Sequence, residues 1–141
     1  MELARAKRYR DKISRIIHSI TDIKDWASSQ EVFLEDRKTR LATYKAFQEA
    51  VEAITDIVAM MVKDLGEIPK DDYTNIETLY NKKIISSELK KAIKEANGLR
   101  NRVVHEYNGI LDEVAYASIM KLIDDMEDFA RVVEEWVSKN L

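Results

Sequence analysis

Only three glycines and one proline punctuate a chain of 141 residues, too few turn-formers for a many-stranded fold. Apolar residues recur at helical spacing instead. The pattern predicts a first helix over Leu3 to Trp26, with Ile13, Ile16, Ile17, Ile20, Ile23 and Trp26 on its buried stripe. Ser28-Ser29 interrupts it. A second helix is expected from Asp36, a residue type suited to an N-cap, through Leu41, Tyr44, Phe47, Val51, Ile54 and Met61 to Leu65. Gly66 stands where a C-terminal cap belongs, with Pro69 soon after. Asp71 to Lys83 reads as a linker with one short helix on Ile76, Leu79 and Tyr80. Ser86 or Ser87 caps a further helix carrying Leu89, Ala92, Ile93, Ala96, Leu99 and Val103 and ending near Asn108-Gly109. Leu89 occupies the place of the acidic partner there, so the capping box is incomplete. Asp112 is the candidate cap of the last helix, which uses Val114, Ile119, Leu122, Ile123, Phe129, Val133 and Trp136. Four long helices plus one short helix, joined by short connections, imply an all-α, up-and-down helical bundle. One domain over residues 1–141 is expected.

A domain of this length typically buries about 70% of the surface its unfolded chain exposes, so a real core is available. Trp26, Phe47, Phe129 and Trp136 read as packing residues, and Met60-Met61 as core filler. With no cysteine, disulfides and thiolate metal sites are excluded. Two histidines far apart in sequence make a zinc site a poor expectation. The start, MELARAKRYR, lacks the apolar segment of a secretory signal, and no apolar run approaches the roughly 18 residues that span a bilayer. A soluble, cytoplasmic protein without membrane contact is expected.

The formal net charge of −3 does not advertise nucleic-acid binding. Its placement is uneven. Arg5, Lys7, Arg8, Arg10, Lys12 and Arg15 crowd the start, while Asp124, Asp125, Glu127, Asp128, Glu134 and Glu135 crowd the end. These are expected to be solvated helix faces, pairing with each other. Extension of a phosphate-binding surface by the basic first helix and Arg37-Lys38 is the other use of such clusters.

One segment carries a specific chemical signal: Arg100-Asn101-Arg102-Val103-Val104-His105-Glu106-Tyr107. Stepping about 100° per residue from Arg100 puts Asn101 near 100° and His105 near 140°. A fixed cation, an amide and an imidazole are thus expected along one arc beside the core stripe. Tyr107 comes where the helix frays, its hydroxyl able to swing towards that arc or away. An arbitrary Arg-x4-His pair would be an ordinary helix rim, and His18, which has no such company, is expected to be plain surface.

GLRNRVVHEY closely resembles the signature of HEPN domains, specifically the HepT-type toxins, whose pattern is Arg-x4-His-x-Tyr, commonly with Asn after the Arg. Arg100, Asn101, His105 and Tyr107 match it. Softer resemblance extends over nearly the whole chain, through FLED at Phe33 to Asp36, Arg40, and QEAVEAITDI at Gln48 to Ile57. The linker departs most.

The resemblance implies a homodimeric, metal-independent endoribonuclease needing no cofactor, with two copies of the motif facing one cleft. His105 would act as general base on the ribose 2′-hydroxyl, or as acid on the leaving oxygen, since histidine titrates near neutrality. Arg100 would hold the scissile phosphate and offset the charge building on its oxygens, and Asn101 would orient either partner. Dependence on the 2′-hydroxyl makes RNA the substrate and spares DNA. The resemblance also implies a partner, a minimal nucleotidyltransferase antitoxin, MntA, that transfers AMP from ATP to Tyr107. The added charge and bulk would repel RNA. Tyr107 would then be a modification site; packing at the dimer interface is its other reading.

Two further classes stay open. HEPN domains also occur as non-catalytic helical subunits that help a nucleotidyltransferase bind its substrate, in which case RNA stays intact. A purely structural dimerisation bundle would leave Arg100 and His105 replaceable.

Overall fold

The computed structural model describes residues 1–105 and 109–141. Among these residues six helices follow one another: α1 (Leu3–Trp26), α2 (Gln30–Glu35), α3 (Arg37–Asp64), α4 (Asp72–Asn81), α5 (Ser87–His105) and α6 (Asp112–Lys139). Among the described residues there is no strand. The long helices α1, α3, α5 and α6 form the all-α bundle, with α1 and α5 each packed against both α3 and α6, while α3 and α6 touch only sparsely. One hydrophobic cluster draws on all six helices.

The expected helices are present, and one more. Ser29 does not merely end α1; its hydroxyl accepts from the Val32 N–H at 3.1 Å and caps α2. Six residues cannot sustain a helix alone, and α2 is held by Phe33, fully buried between Tyr44 and Tyr116. Asp36 caps α3 as its residue type predicts, accepting from the Thr39 N–H at 3.3 Å and the Thr39 hydroxyl at 2.7 Å. The hydroxyl bond in particular holds the Asp36 carboxyl below its ordinary pKa. At the far end Gly66 takes φ 86°, while its N–H donates to Lys63 O and that of Glu67 to Val62 O. Those two bonds make a Schellman closure, which favours glycine because other residues resist positive φ. Of the two candidate serines, Ser86 caps α5, its Oγ accepting from the Leu89 N–H at 3.0 Å.

Several expectations are corrected. Asp112 does not cap α6; Leu111 holds the N-cap position without a side-chain bond. The Asp112 carboxylate instead accepts from the Tyr44 hydroxyl and pairs with Arg40 at 3.5 Å, tying the start of α6 to α3. Ile17, Trp26, Leu41 and Val114 are exposed. Ile17 and Trp26 lie roughly a quarter-turn from the centre of the α1 stripe, where a 100° step per residue leaves an apolar side chain at the rim. Trp136 is partly buried, edge-on to Tyr9 at 5.6 Å between ring centres.

The charged ends pair only in part with each other. Arg10 meets Glu134 at 3.1 Å, and Lys24 meets Glu127, but Arg5 and Lys12 go to Asp64 and Asp56 on α3. Arg5 shares Asp64 with the buried Tyr9, whose hydroxyl donates to Asp64 Oδ2 at 2.6 Å. Burial, reinforced by Asp64, pushes the Tyr9 phenol far above its ordinary pKa. Burial alone would raise the Asp64 carboxyl, but hydrogen bonds from Arg5 and Tyr9 hold it below its usual value. A depressed folded pKa gives stability that is full above the unfolded value, near 3.9, and is lost as pH falls through the folded one. Asp64→Asn is therefore expected to cost about 1–2 kcal/mol at neutral pH. The gap to the parent should close below roughly pH 4. Urea midpoints measured across that range check this; a gap that stays constant with pH contradicts it.

Candidate functional site

The site is built on α5. Leu89, Ala92, Ile93, Ala96, Leu99 and Val103 are buried against the bundle, as the spacing predicts. That rotation is fixed by apolar burial, and it decides where the polar residues between them go. Arg100 comes out beside the stripe, over the groove towards α3 and α4. Its side chain is only 16% exposed. Asn101 is half-buried and His105, the last residue of α5, is exposed. Tyr107 lies outside the described residues.

Arg100 is engaged on three sides. Nη2 donates to Asn97 Oδ1 at 2.8 Å. Asp72 Oδ2, from the first residue of α4, lies 3.5 Å from Nη2, and Glu52 Oε1, from α3, lies 3.7 Å from Nη1. Glu52 is itself steadied by Gln48, whose Nε2 donates to the same Oε1 at 3.0 Å. The Arg100 Nε is buried and has no hydrogen-bond partner among the described residues. Asn97 is 1% exposed, so its oxygen is a fixed acceptor, set one turn before Arg100 where i,i+3 side chains meet.

Arg100, Asn101 and His105 are thus not drawn together within one chain. The helical wheel puts the three on one arc, but five positions separate Arg100 from His105. That is about 7.5 Å of rise and 140° of turn. Arg100 folds back over α3 and α4, whereas His105 stands at the open end of the helix. No hydrogen bond joins them among the described residues. Where α5 ends and α6 begins, Val104, Leu111 and Val114 are all exposed. Leu111 and Val114 line a shallow cavity of about 210 Å³ together with Leu99, Arg102 and Ile110. His18 is exposed.

Glu52, Asp72 and Asn97 were not evident from the motif. A signal existed for one of them, since an asparagine on the buried side of α5 needs a partner. Gln48 and Glu52 fall inside the QEAVEAITDI segment, but only the packing of α3 against α5 brings them to Arg100. Among the described residues no group of three or more histidine, aspartate or glutamate side chains could hold a metal ion. Among the described residues no helix is long and apolar enough to cross a membrane.

Comparison with known proteins places this geometry in context. A family model described as "Ribonuclease HepT-like" matches residues 16–133. A candidate RNase from Archaeoglobus fulgidus is 34% identical over 140 residues, covering 92% of this chain and 98% of its own length. The tRNA nuclease HepT of Aphanizomenon flos-aquae is 28% identical over 112 residues, covering 77% of this chain and 75% of its own. Among solved structures, the tri-AMPylated Shewanella oneidensis HEPN toxin in complex with MNT antitoxin superposes with a TM-score of 0.86 at 22% identity. It covers 96% of this chain and 99% of that one, which shows a shared fold.

Proposed function

The chain belongs to the HepT-like ribonuclease family, and from that premise we propose that it is the toxin of a toxin–antitoxin pair, a metal-independent endoribonuclease. Its antitoxin would be a minimal nucleotidyltransferase of the MntA kind, silencing it by AMP transfer to Tyr107. The observation that carries the reading is the complete Arg-Asn-x3-His-x-Tyr signature in the sequence, with His105 exposed at the end of α5.

The chemistry follows from the groups present. A base removes the proton of the 2′-hydroxyl, the 2′-oxygen attacks the adjacent phosphorus, and the 5′-oxygen leaves carrying a proton from an acid. A 2′,3′-cyclic phosphate and a 5′-hydroxyl result. One histidine cannot be both unprotonated base and protonated acid in the same step. Two copies of the chain would supply both, one His105 each, and the apolar side chains left exposed where α5 ends and α6 begins, Val104, Leu111 and Val114, suit burial against a second copy. Arg100 offsets charge on the phosphoryl oxygens and Asn101 orients a partner. In silencing, the Tyr107 oxygen attacks the α-phosphorus of ATP and pyrophosphate leaves; the new phosphodiester repels RNA.

The test compares protein purified alone with protein co-expressed with its antitoxin. Unmodified protein should cut single-stranded RNA equally well with and without a chelator and should leave DNA of the same sequence intact. Co-expressed protein should carry AMP on the Tyr107 peptide by mass spectrometry and should no longer cut. RNA left whole by unmodified protein over long incubation rejects the nuclease and leaves the non-catalytic nucleotidyltransferase subunit as the reading.

A further inference from the structure

The surroundings of Arg100 are the wrong sign for its work. A guanidinium that must meet a phosphodiester is faced by two carboxylates, at 3.5 and 3.7 Å, so the cluster formally carries one negative charge rather than one positive. The contacts divide cleanly by kind. Asn97 makes a real hydrogen bond, 2.8 Å, from a fully buried position, and is the group that orients the side chain. Glu52 and Asp72 sit at ion-pair distance without a hydrogen bond to Arg100, and their side chains are 46% and 42% exposed. Charge at such separations still acts strongly when one partner is mostly buried, yet exposed carboxylates of this kind exchange readily with solvent. They sit against Nη1 and Nη2, the donors left for a phosphate since Nε is buried.

We propose that Glu52 and Asp72 form an anionic screen that competes with the RNA phosphodiester for Arg100, making these two carboxylates determinants of how tightly the chain takes RNA. This rests on the ribonuclease reading for the identity of the ligand. Asn97 is the positioning residue, keeping the guanidinium in place while the carboxylates give way. A lone phosphate gains little by displacing them. A polynucleotide, anchored at neighbouring phosphates as well, does so at high local concentration.

The experiment measures binding of a dye-labelled single-stranded oligoribonucleotide to the full chain carrying His105→Ala, so that the RNA survives. Glu52→Gln and Asp72→Asn should each lower Kd about three- to tenfold at low salt, with the gain shrinking as ionic strength rises. Glutamine at 52 keeps an oxygen for Gln48, and Glu52→Gln alone suffices if Asp72→Asn weakens the short α4. Glu49→Gln, an exposed neighbour on α3, should leave Kd unchanged. In an Arg100→Gln background the gain should vanish, as a double-mutant cycle requires. In the cleaving protein, Glu52→Gln should lower KM and leave kcat within about twofold. Unchanged or weaker binding, a gain that survives without Arg100, or a fall in kcat at constant KM overturns the screen. Parental cleavage with Kd unmoved by Glu52→Gln rejects the screen alone. Tighter, Arg100-dependent binding with no cleavage by the parent rejects the nuclease alone.

Discussion

His105→Ala is expected to abolish RNA cleavage while leaving the bundle folded. A positioned proton donor or acceptor contributes about 10²–10⁴-fold. If each copy in a pair lends its histidine to the same bond, the substitution removes acid and base together, and the loss should lie at the upper end of that range. The fold should not notice. His105 is the last residue of α5, exposed, and its side chain makes no hydrogen bond among the described residues, so its replacement should change stability by no more than about 0.5 kcal/mol. The measurement pairs initial cleavage rates with a urea unfolding curve. An alanine variant that cuts at the parental rate removes His105 from the mechanism. Arg100→Ala would be a poorer probe, because it also strips Asn97, Glu52 and Asp72 of their shared partner.

The largest effect on stability should come from Phe33→Ala, at about 3–5 kcal/mol. Phe33 is fully buried, its ring 5.5 Å from that of Tyr44 in an edge-on pair and 5.2 Å from that of Tyr116. Those contacts span α3 and α6, and Phe33 is the one buried residue of α2. A six-residue helix has no independent stability, so deleting the anchor should free the whole segment as well as leave a cavity. Arg40, which donates to Leu34 O, would lose that acceptor too. Chemical denaturation reads the loss directly, and a drop under about 1 kcal/mol would mean that the Ser29 cap and backbone bonds hold α2 unaided.

The contrast between Phe33 and His105 marks what the amino-acid order discloses. α1, α3, α5 and α6 repeat their apolar residues over many turns, and Asp36, Gly66 and Ser86 do at their ends what their side chains predict. α2 is too short for a period to be visible, so Ser29 looked like an interruption when it is a cap. Leu111 takes the N-cap of α6 because Asp112 has a stronger call on it from Tyr44 and Arg40, residues remote in sequence. Ile17, Trp26, Leu41 and Val114 fail for a common reason: an apolar residue at the rim of a stripe satisfies the pattern whether or not anything covers it.

At the site the difference is sharper. Arg100, Asn101, His105 and Tyr107 are named by their resemblance to the HepT-type signature, and three of them have a described place in the structure. What holds Arg100 is not local. Glu52 and Asp72 reach it from two other helices, and no periodicity within α5 announces them. The wheel also flattened α5 into a circle, which hid the axial distance between the guanidinium and the imidazole.

Arg40 and Tyr44 fix Asp112, the first residue of α6, to α3. The described residues of the motif are held differently, by the apolar stripe that seats α5. A substitution at Arg40 therefore works on the entry to α6 by way of α3, and it touches none of the groups that hold Arg100.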